Sequence, residues 1–138
     1  MLILADTSAW IWAQRDPSNP TARRFLDDVA RGVIAICDVV RLEYLRGIDG
    51  RAALEAADAH LRRLPQIAIG ARAVDHAGAI QSLLADGGGS RHRAIAVADL
   101  LVAGAALEAG APILHRDRDF EAIAAVTGQP TRWLGPRR

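Results

Sequence analysis

The feature that most constrains the fold is the regular alternation of short apolar runs with longer segments of helical periodicity. The apolar runs are too short for helices and are predicted as strands, at residues 2–5, 33–37, 66–70, 113–115 and 131–134. Helical patterns fill the intervals, at residues 7–14, 21–32, 38–47, 51–64, 71–88, 94–110 and 116–128. Strands that alternate with helices form parallel sheets covered on both faces. The sequence therefore predicts a three-layer α/β/α, Rossmann-like domain with a mostly parallel sheet of four to five strands.

The length of 138 residues predicts a single domain over 1–138, with a core over 1–134 and a short tail over 135–138. The first residues lack a basic segment and reach Asp6 early, which does not fit a secretory signal. No apolar run approaches the roughly 20 residues that span a bilayer. Cys37 is the only cysteine, which excludes an internal disulfide and a multi-cysteine zinc site. We therefore expect a cytoplasmic protein without a membrane anchor.

The charged residues are balanced in number but unusual in kind. All 17 basic residues are arginine, 12 of the 16 acids are aspartate, and the net charge is +1. The absence of lysine excludes Schiff-base and P-loop chemistry. A net charge near zero excludes a polybasic tail protein but leaves open a local nucleic-acid site. The excess of aspartate indicates a carboxylate site.

Several acids follow predicted strands. Asp6 comes directly after the first strand, and Asp117 and Asp119 come just past the fourth. Glu43 lies about one turn into the helix that follows the second strand. Sites in parallel sheets form at the carboxyl ends of the strands, so we expect these side chains to share one edge. For Asp6 taken alone, capping of the following helix explains its position equally well, although Thr7 or Ser8 could also cap that helix.

Asp99 lies in the middle of the most apolar helix of the sequence. An unpaired buried carboxylate is costly, so it should be paired, protonated or bound to a cation. An ion pair with an arginine, or a cap at an irregular helix start, would satisfy it. Taken with the other acids, however, it favours a divalent cation, because converging carboxylates repel one another. Hard oxygen ligands favour Mg²⁺ or Mn²⁺.

The order and spacing of these motifs resemble those of the PIN-domain nucleases, and most of all the VapC-type toxins of bacterial VapBC toxin–antitoxin pairs. The resemblance covers positions 2–134. It is carried by ADTSAW at the amino end, the glutamate of DVVRLEYLRG, the AD of AIAVADLLVAGAAL, and HRDRDFEAIA followed by TRWL.

The resemblance implies a specific set of site residues. The four family acids around Mg²⁺ match the catalytic set Asp6, Glu43, Asp99 and Asp117, with Asp6 and Asp99 as the most secure ligands. Asp117 is implied as a further ligand, and Glu43 and Asp119 as residues that hold a second ion, bind its waters or orient the attacking water. Thr7 and Ser8 match a polar pair that supports the first acid. His115 stands where family members often carry threonine.

The resemblance also implies the function and its partners. It implies a Mg²⁺-dependent endoribonuclease, with Mn²⁺ as a substitute, that cuts RNA with an activated water and leaves a 5′-phosphate and a 3′-hydroxyl. As the toxin of a type II pair, such a protein would inhibit translation and growth. Its partners would be a VapB-type antitoxin, the RNA substrate and a second copy of the chain, with apolar helix faces near 21–64 as contact surfaces.

Arginines near the predicted site are candidates for binding RNA phosphates. Arg91 and Arg93 lie in a glycine-rich stretch, predicted as a flexible loop over 87–93, and Arg116 and Arg118 alternate with two of the acids. Guanidinium groups can bind phosphates in a bidentate manner. The alternative is that they balance the carboxylates or lie in solvent.

Other enzyme classes with an early aspartate fit the sequence less well. A HAD-type phosphatase needs a second aspartate where this chain has Ser8, and both it and a receiver domain need a lysine. A dinucleotide-binding domain needs Gly-x-Gly-x-x-Gly after the first strand, and that motif is absent there. The remaining alternative is a non-catalytic PIN-like module that binds RNA or protein. The presence of all four family acids favours the enzyme.

Overall fold

A computed structural model describes residues 1–86 and 91–137. Its centre is a five-stranded sheet in which all neighbouring strands are parallel, in the order β3-β2-β1-β4-β5. The strands are β1 (Ile3–Ala5), β2 (Ile34–Cys37), β3 (Gln66–Ile67), β4 (Ile113–His115) and β5 (Thr131–Trp133). The predicted three-layer α/β/α class with a parallel sheet is confirmed.

The described ranges contain eight helices that flank this sheet. They are α1 (Thr7–Arg15), α2 (Pro20–Ala30), α3 (Asp38–Arg46), α4 (Arg51–Leu61), α5 (Ala71–Asp86), α6 (Arg91–Ala94), α7 (Val97–Ala109) and α8 (Arg118–Thr127). One group of contacts joins α1 to α2 and α3, and another joins α5 to α6, α7 and α8. None of the helices in these ranges has the length and apolar character needed to cross a bilayer.

The strand register determines which loops meet at one edge of the sheet. Ala5 of β1 pairs with Leu114 of β4, and the Asp6 N–H donates to the Leu114 carbonyl at 2.9 Å. Because the two central strands end together, Asp6 emerges beside the segment that follows His115. The carboxyl ends of β1 and β4 therefore form one edge, as the sequence predicts.

One local prediction is wrong. Residues 91–94 form one helical turn, α6, rather than a loop, whereas 87–90 of the predicted loop lie outside the described residues. Asp6 caps α1, a role that the sequence left open for Asp6, Thr7 and Ser8, because its side chain accepts a hydrogen bond from the Ser8 N–H. At the end of the described residues, Arg137 forms an ion pair with Glu121 at 2.7 Å. Arg138 lies outside the described residues.

The close packing of α7 on α5 depends on small side chains. Gly104 of α7 lies against α5 so tightly that an added Cβ would overlap the Ala73 carbonyl oxygen and lie 3.1 Å from the Ala77 backbone nitrogen. Backbone atoms on α5 cannot move aside as the tip of a flexible side chain can. The helix that carries Asp99 is therefore held at a fixed distance from α5.

We expect Gly104→Ala to lower the free energy of unfolding by about 1–3 kcal/mol, because the extra methyl group overfills this contact. Gly78→Ala on the exposed face of α5 is the matched control, since nothing lies within 4 Å of its added Cβ. The control should raise the same free energy by about 0.5–1 kcal/mol, as alanine is the better helix former. Urea unfolding of the two variants measures both effects. Equal effects from both substitutions would contradict the close packing at Gly104.

Candidate active site

Asp6 presents one buried carboxylate oxygen that is hydrogen-bonded and one that is not. Its Oδ2 accepts from the Ser8 hydroxyl at 2.6 Å and from the Ser8 N–H at 3.1 Å. Its Oδ1 is buried and has no hydrogen-bond partner in the described parts of the chain. Burial raises the pKa of Asp6, the hydrogen bonds from Ser8 oppose this shift, and the charge of Glu43 adds to it. An unsatisfied buried oxygen of this kind is suited to a cation.

Ser8 connects Asp6 to the segment after β4. The Ser8 hydroxyl donates to Asp6 and accepts from the Arg116 N–H at 2.9 Å. Its lone donor and one of its acceptor positions are thus both used, which fixes the rotation of the hydroxyl. The Ser8 side chain therefore links the Asp6 carboxylate to the Arg116 backbone.

Glu43 is brought to the same edge by α3 and is held there by α1. The Thr7 hydroxyl donates to Glu43 Oε1 at 2.7 Å. The next residue of α3, Tyr44, donates from its hydroxyl to Gln14 Oε1 of α1 at 2.6 Å, a second link between the two helices. The hydroxyl of Thr7 therefore contacts Glu43, whereas the resemblance implies that this residue supports Asp6.

Asp99 lies in the first turn of α7 rather than in the middle of a helix as predicted, because α7 begins at Val97, and Asp99 is only 8% exposed. Its pKa is raised to about 8, mainly by burial and then by the negative charges of Asp6, Asp117 and Asp119. Within the described residues Asp99 forms no ion pair with an arginine, so an ion pair does not compensate the charge of this buried carboxylate.

Asp117 and Asp119 reach the site from the start of α8. Asp117 caps this helix by accepting from the Asp119 N–H at 2.9 Å, and its own N–H donates to His115 Nδ1 at 3.1 Å. His115 is 1% exposed and packs against the rings of Phe120 and Trp133. Burial lowers the pKa of His115, so the ring stays neutral and serves as an acceptor that holds the Asp117 backbone.

The three acids Asp99, Asp117 and Asp119 form a compact cluster. One carboxylate oxygen from each lies within 4.8 Å of the others. Burial and the charge of Asp117 raise the pKa of Asp119. Since no basic side chain forms an ion pair with these acids in the described ranges, a divalent cation is the natural counter-charge, and the oxygen ligands fit Mg²⁺ or Mn²⁺.

The structure changes which acids are the strongest candidates for metal ligands. The resemblance implies Asp6 and Asp99 as the most secure ligands and gives Glu43 and Asp119 an auxiliary role. The structure places Asp119 in the compact cluster, whereas Asp6 lies beside it and acts on the Asp99 pKa through its charge. The turn between Asp117 and Asp119 explains this, because the cap brings both side chains to the start of α8.

The four candidate arginines differ in their surroundings. Arg91 and Arg93 are exposed on α6, and Arg118 is exposed at the start of α8. Arg116 instead donates from Nη1 to the carbonyls of Leu134 at 2.7 Å and Pro136 at 2.9 Å. Sequence reasoning missed this role, since no local pattern links position 116 to a segment 18 residues later.

The family of the chain follows from comparison with known proteins. Residues 3–126, which include all five acids of the site, match the PIN domain family. The chain belongs to the PIN-domain family. This PIN domain is 39% identical over 137 residues to Ribonuclease VapC18 of Mycobacterium tuberculosis, a match that covers 99% of this chain and 98% of the relative. It is 36% identical over 136 residues to Ribonuclease VapC2 of the same species, covering 97% and 93% of the two chains. These relatives place it in the VapC group of the family.

Solved structures show the same fold. A chain in the VapBC2 structure from Rickettsia felis bound to a promoter DNA fragment matches with a TM-score of 0.74 and 20% identity, covering 98% of this PIN domain and 100% of that chain. A chain in the DNA-bound VapBC structure from Salmonella typhimurium matches with a TM-score of 0.71 and 22% identity, covering 96% and 98%. At 20–22% sequence identity, the structural similarity shows a shared fold only.

Proposed function

We propose that this PIN domain is a divalent-cation-dependent endoribonuclease and the toxin of a type II toxin–antitoxin pair. The observation that carries the proposal is the cluster of Asp99, Asp117 and Asp119 beside the unsatisfied Oδ1 of Asp6. Relatives that share more than a third of their residues with this chain and are named ribonucleases support the activity.

The acids divide into those that would hold a cation and those that would act on water. Asp99, Asp117 and Asp119 would bind Mg²⁺, or Mn²⁺ in its place, and Asp6 would add its Oδ1. A bound cation would lower the pKa of the attacking water and stabilise the charge that develops on the phosphodiester. The hydroxyl of Thr7 engages Oε1 of Glu43, so Oε2 is the atom that would orient the water and accept its proton.

The proposed reaction is hydrolysis of the RNA backbone, and it needs only water as a co-reactant. The water oxygen would form a bond to phosphorus and give a proton to Glu43, and the bond from phosphorus to the 3′ oxygen would break. That oxygen would take up a proton from solvent, so the products are a 5′-phosphate and a 3′-hydroxyl. Arg91, Arg93 and Arg118 are exposed and would bind flanking phosphates, which positions the strand without reading its sequence. The chain needs no lysine or cysteine nucleophile for this reaction.

The proposed partners are a VapB-type antitoxin, RNA and a second copy of the chain, and the proposed location is the cytoplasm. The structural neighbours described as VapBC complexes support the antitoxin. Leu42 on α3 is 59% exposed and Leu54 on α4 is 36% exposed, and we propose these side chains as part of the apolar contact surface near 21–64 of a homodimer.

The direct test is cleavage of a panel of end-labelled structured and single-stranded RNAs in Mg²⁺, in Mn²⁺ and in EDTA. We expect cuts that leave 5′-phosphates in either metal and none in EDTA. Expression in a bacterial host should arrest growth, and co-expression of the proposed VapB-type antitoxin should relieve the arrest. A protein that binds RNA but cuts none of the panel in either metal, and does not slow growth, would favour the non-catalytic module instead.

A further inference from the structure

The guanidinium group of Arg116 lies between Trp12 of α1 and residues 133–136. It lies over the indole of Trp12 at 4.8 Å and over that of Trp133 at 5.3 Å, as measured from Cζ to the ring centroids. Its Nη1 donates to the carbonyls of Leu134 and Pro136. Two aromatic faces and two carbonyl oxygens therefore hold the side chain in one position.

The backbone around Arg116 is held by the same segment. The Leu134 N–H donates to the His115 carbonyl at 2.8 Å. Gly135 has a φ of +78°, and an added Cβ would lie 2.6 Å from the Trp12 ring, so the chain can turn here only because this residue is glycine. The position of the Arg116 backbone thus depends on contacts made by residues 133–136.

The Arg116 backbone in turn reaches the acidic site through one side chain. Its N–H donates to the Ser8 hydroxyl at 2.9 Å, and that hydroxyl donates to Asp6 Oδ2 at 2.6 Å. With Oδ2 fixed by Ser8, the second oxygen of Asp6 is left buried and unsatisfied beside the acids. The link therefore determines which Asp6 oxygen is available to a ligand.

We propose that Arg116 is a positioning residue for the metal site rather than a phosphate-binding residue, acting through Ser8 on Asp6 and anchored by residues 133–136. The inference rests on the proposed function, in that it takes a divalent cation as the ligand of the acids. Residues that orient a ligand without touching the metal change its affinity by about 10–100-fold.

The test measures Mn²⁺ affinity and RNA affinity separately in the full chain. We expect Arg116→Ala and Arg116→Lys each to raise the Mn²⁺ dissociation constant about tenfold by calorimetry, because lysine keeps the charge but not the planar fork. RNA affinity, measured by fluorescence anisotropy in EDTA, should stay within about twofold of wild type. Arg118→Ala is the matched control, two residues away and exposed. It should weaken RNA binding and leave Mn²⁺ binding unchanged.

Ser8→Ala shows whether the effect passes through the hydroxyl. It removes only one oxygen atom and should also weaken Mn²⁺ binding about tenfold. The double variant Ser8→Ala/Arg116→Lys should bind Mn²⁺ no worse than the weaker single variant, since both substitutions break the same link. Urea unfolding identifies the conditions under which all variants are folded, so lower Mn²⁺ affinity there reflects the site.

Two results would overturn the inference. Wild-type Mn²⁺ affinity in both Arg116 variants together with weaker RNA binding would make Arg116 a phosphate-binding residue. Additive losses in the double variant would mean that the side chain acts independently of Ser8. A wild-type protein that binds no Mn²⁺ would instead overturn the proposed function, and this inference with it.

Discussion

Asp99→Asn is expected to slow RNA cleavage by about 10³-fold and at the same time to stabilise the cation-free protein at pH 8. The loss of about 4 kcal/mol of transition-state stabilisation follows from removal of one charged ligand from the three-acid cluster. The gain in stability follows because a neutral amide of the same shape replaces a buried carboxylate among Asp6, Asp117 and Asp119. We expect the free energy of unfolding to rise by about 1–3 kcal/mol.

The two effects are measured on the same preparation, with labelled RNA in saturating Mg²⁺ and with urea unfolding in EDTA. Asp75→Asn is the matched control, because Asp75 lies on the exposed face of α5. It should change neither the cleavage rate nor the stability. A variant that is inactive and also less stable at pH 8 would show that Asp99 has a structural partner rather than a role in holding a cation.

Without a divalent cation, the buried acids of the site should lower the stability of the protein as the pH rises from about 4 to about 8, against a smaller opposite contribution from His115, whose pKa is lowered by burial. The pKa of Asp99 is about 8 in the folded chain against an ordinary value of 3.8, so the folded state keeps a proton that the unfolded state has lost. The resulting stability is fully present below pH 3.8 and is lost as the pH rises through 8. Burial shifts the pKa values of Asp6 and Asp119 in the same direction. The slope is at most about 1.4 kcal/mol per pH unit for one group.

Mg²⁺ or Mn²⁺ should reverse this trend, because a cation binds the ionised carboxylates and competes with protons. At a concentration 100 times the dissociation constant, the cation should add about 2.7 kcal/mol to the free energy of unfolding. Urea unfolding at pH 5 and pH 8, with EDTA or with Mn²⁺, measures both parts. In Asp99→Asn the added stability should largely disappear. Equal stabilisation at both pH values, or in both proteins, would place the cation elsewhere.

The alternation of strands and helices could be predicted because each element carries its own local pattern. The ends of the five strands lie within three residues of the predicted ends, and the apolar character of residues 94–110 predicts the buried α7. The one-turn helix α6 was missed, since four residues contain too little periodicity to separate a helix from a loop. The sequence allows Asp6 to be a helix cap or a metal ligand. In the structure Oδ2 caps α1, and Oδ1 has no hydrogen-bond partner in the described residues and is available to a ligand.

The candidate site was predictable only as a set of residues, without its internal arrangement. Parallel strands end at one edge, so acids that follow them must approach one another, and this much needs only the order of the elements. The compact grouping of Asp119 with Asp99 depends on how α8 packs against α7. That contact joins residues far apart in the chain, and no local pattern records it.

The sequence by itself determined the fold class, the family and the acids that gather at the end of the sheet, because these depend on periodicity and on residue order. The tertiary structure alone decided which oxygen of Asp6 is left unsatisfied and that Thr7 serves Glu43. It also placed the Arg116 guanidinium group between the indoles of Trp12 and Trp133, which is the basis of the proposed positioning role. Hydrogen bonds and ring contacts require atoms to meet within a few ångströms, and only the folded chain brings positions 8, 116 and 134 that close.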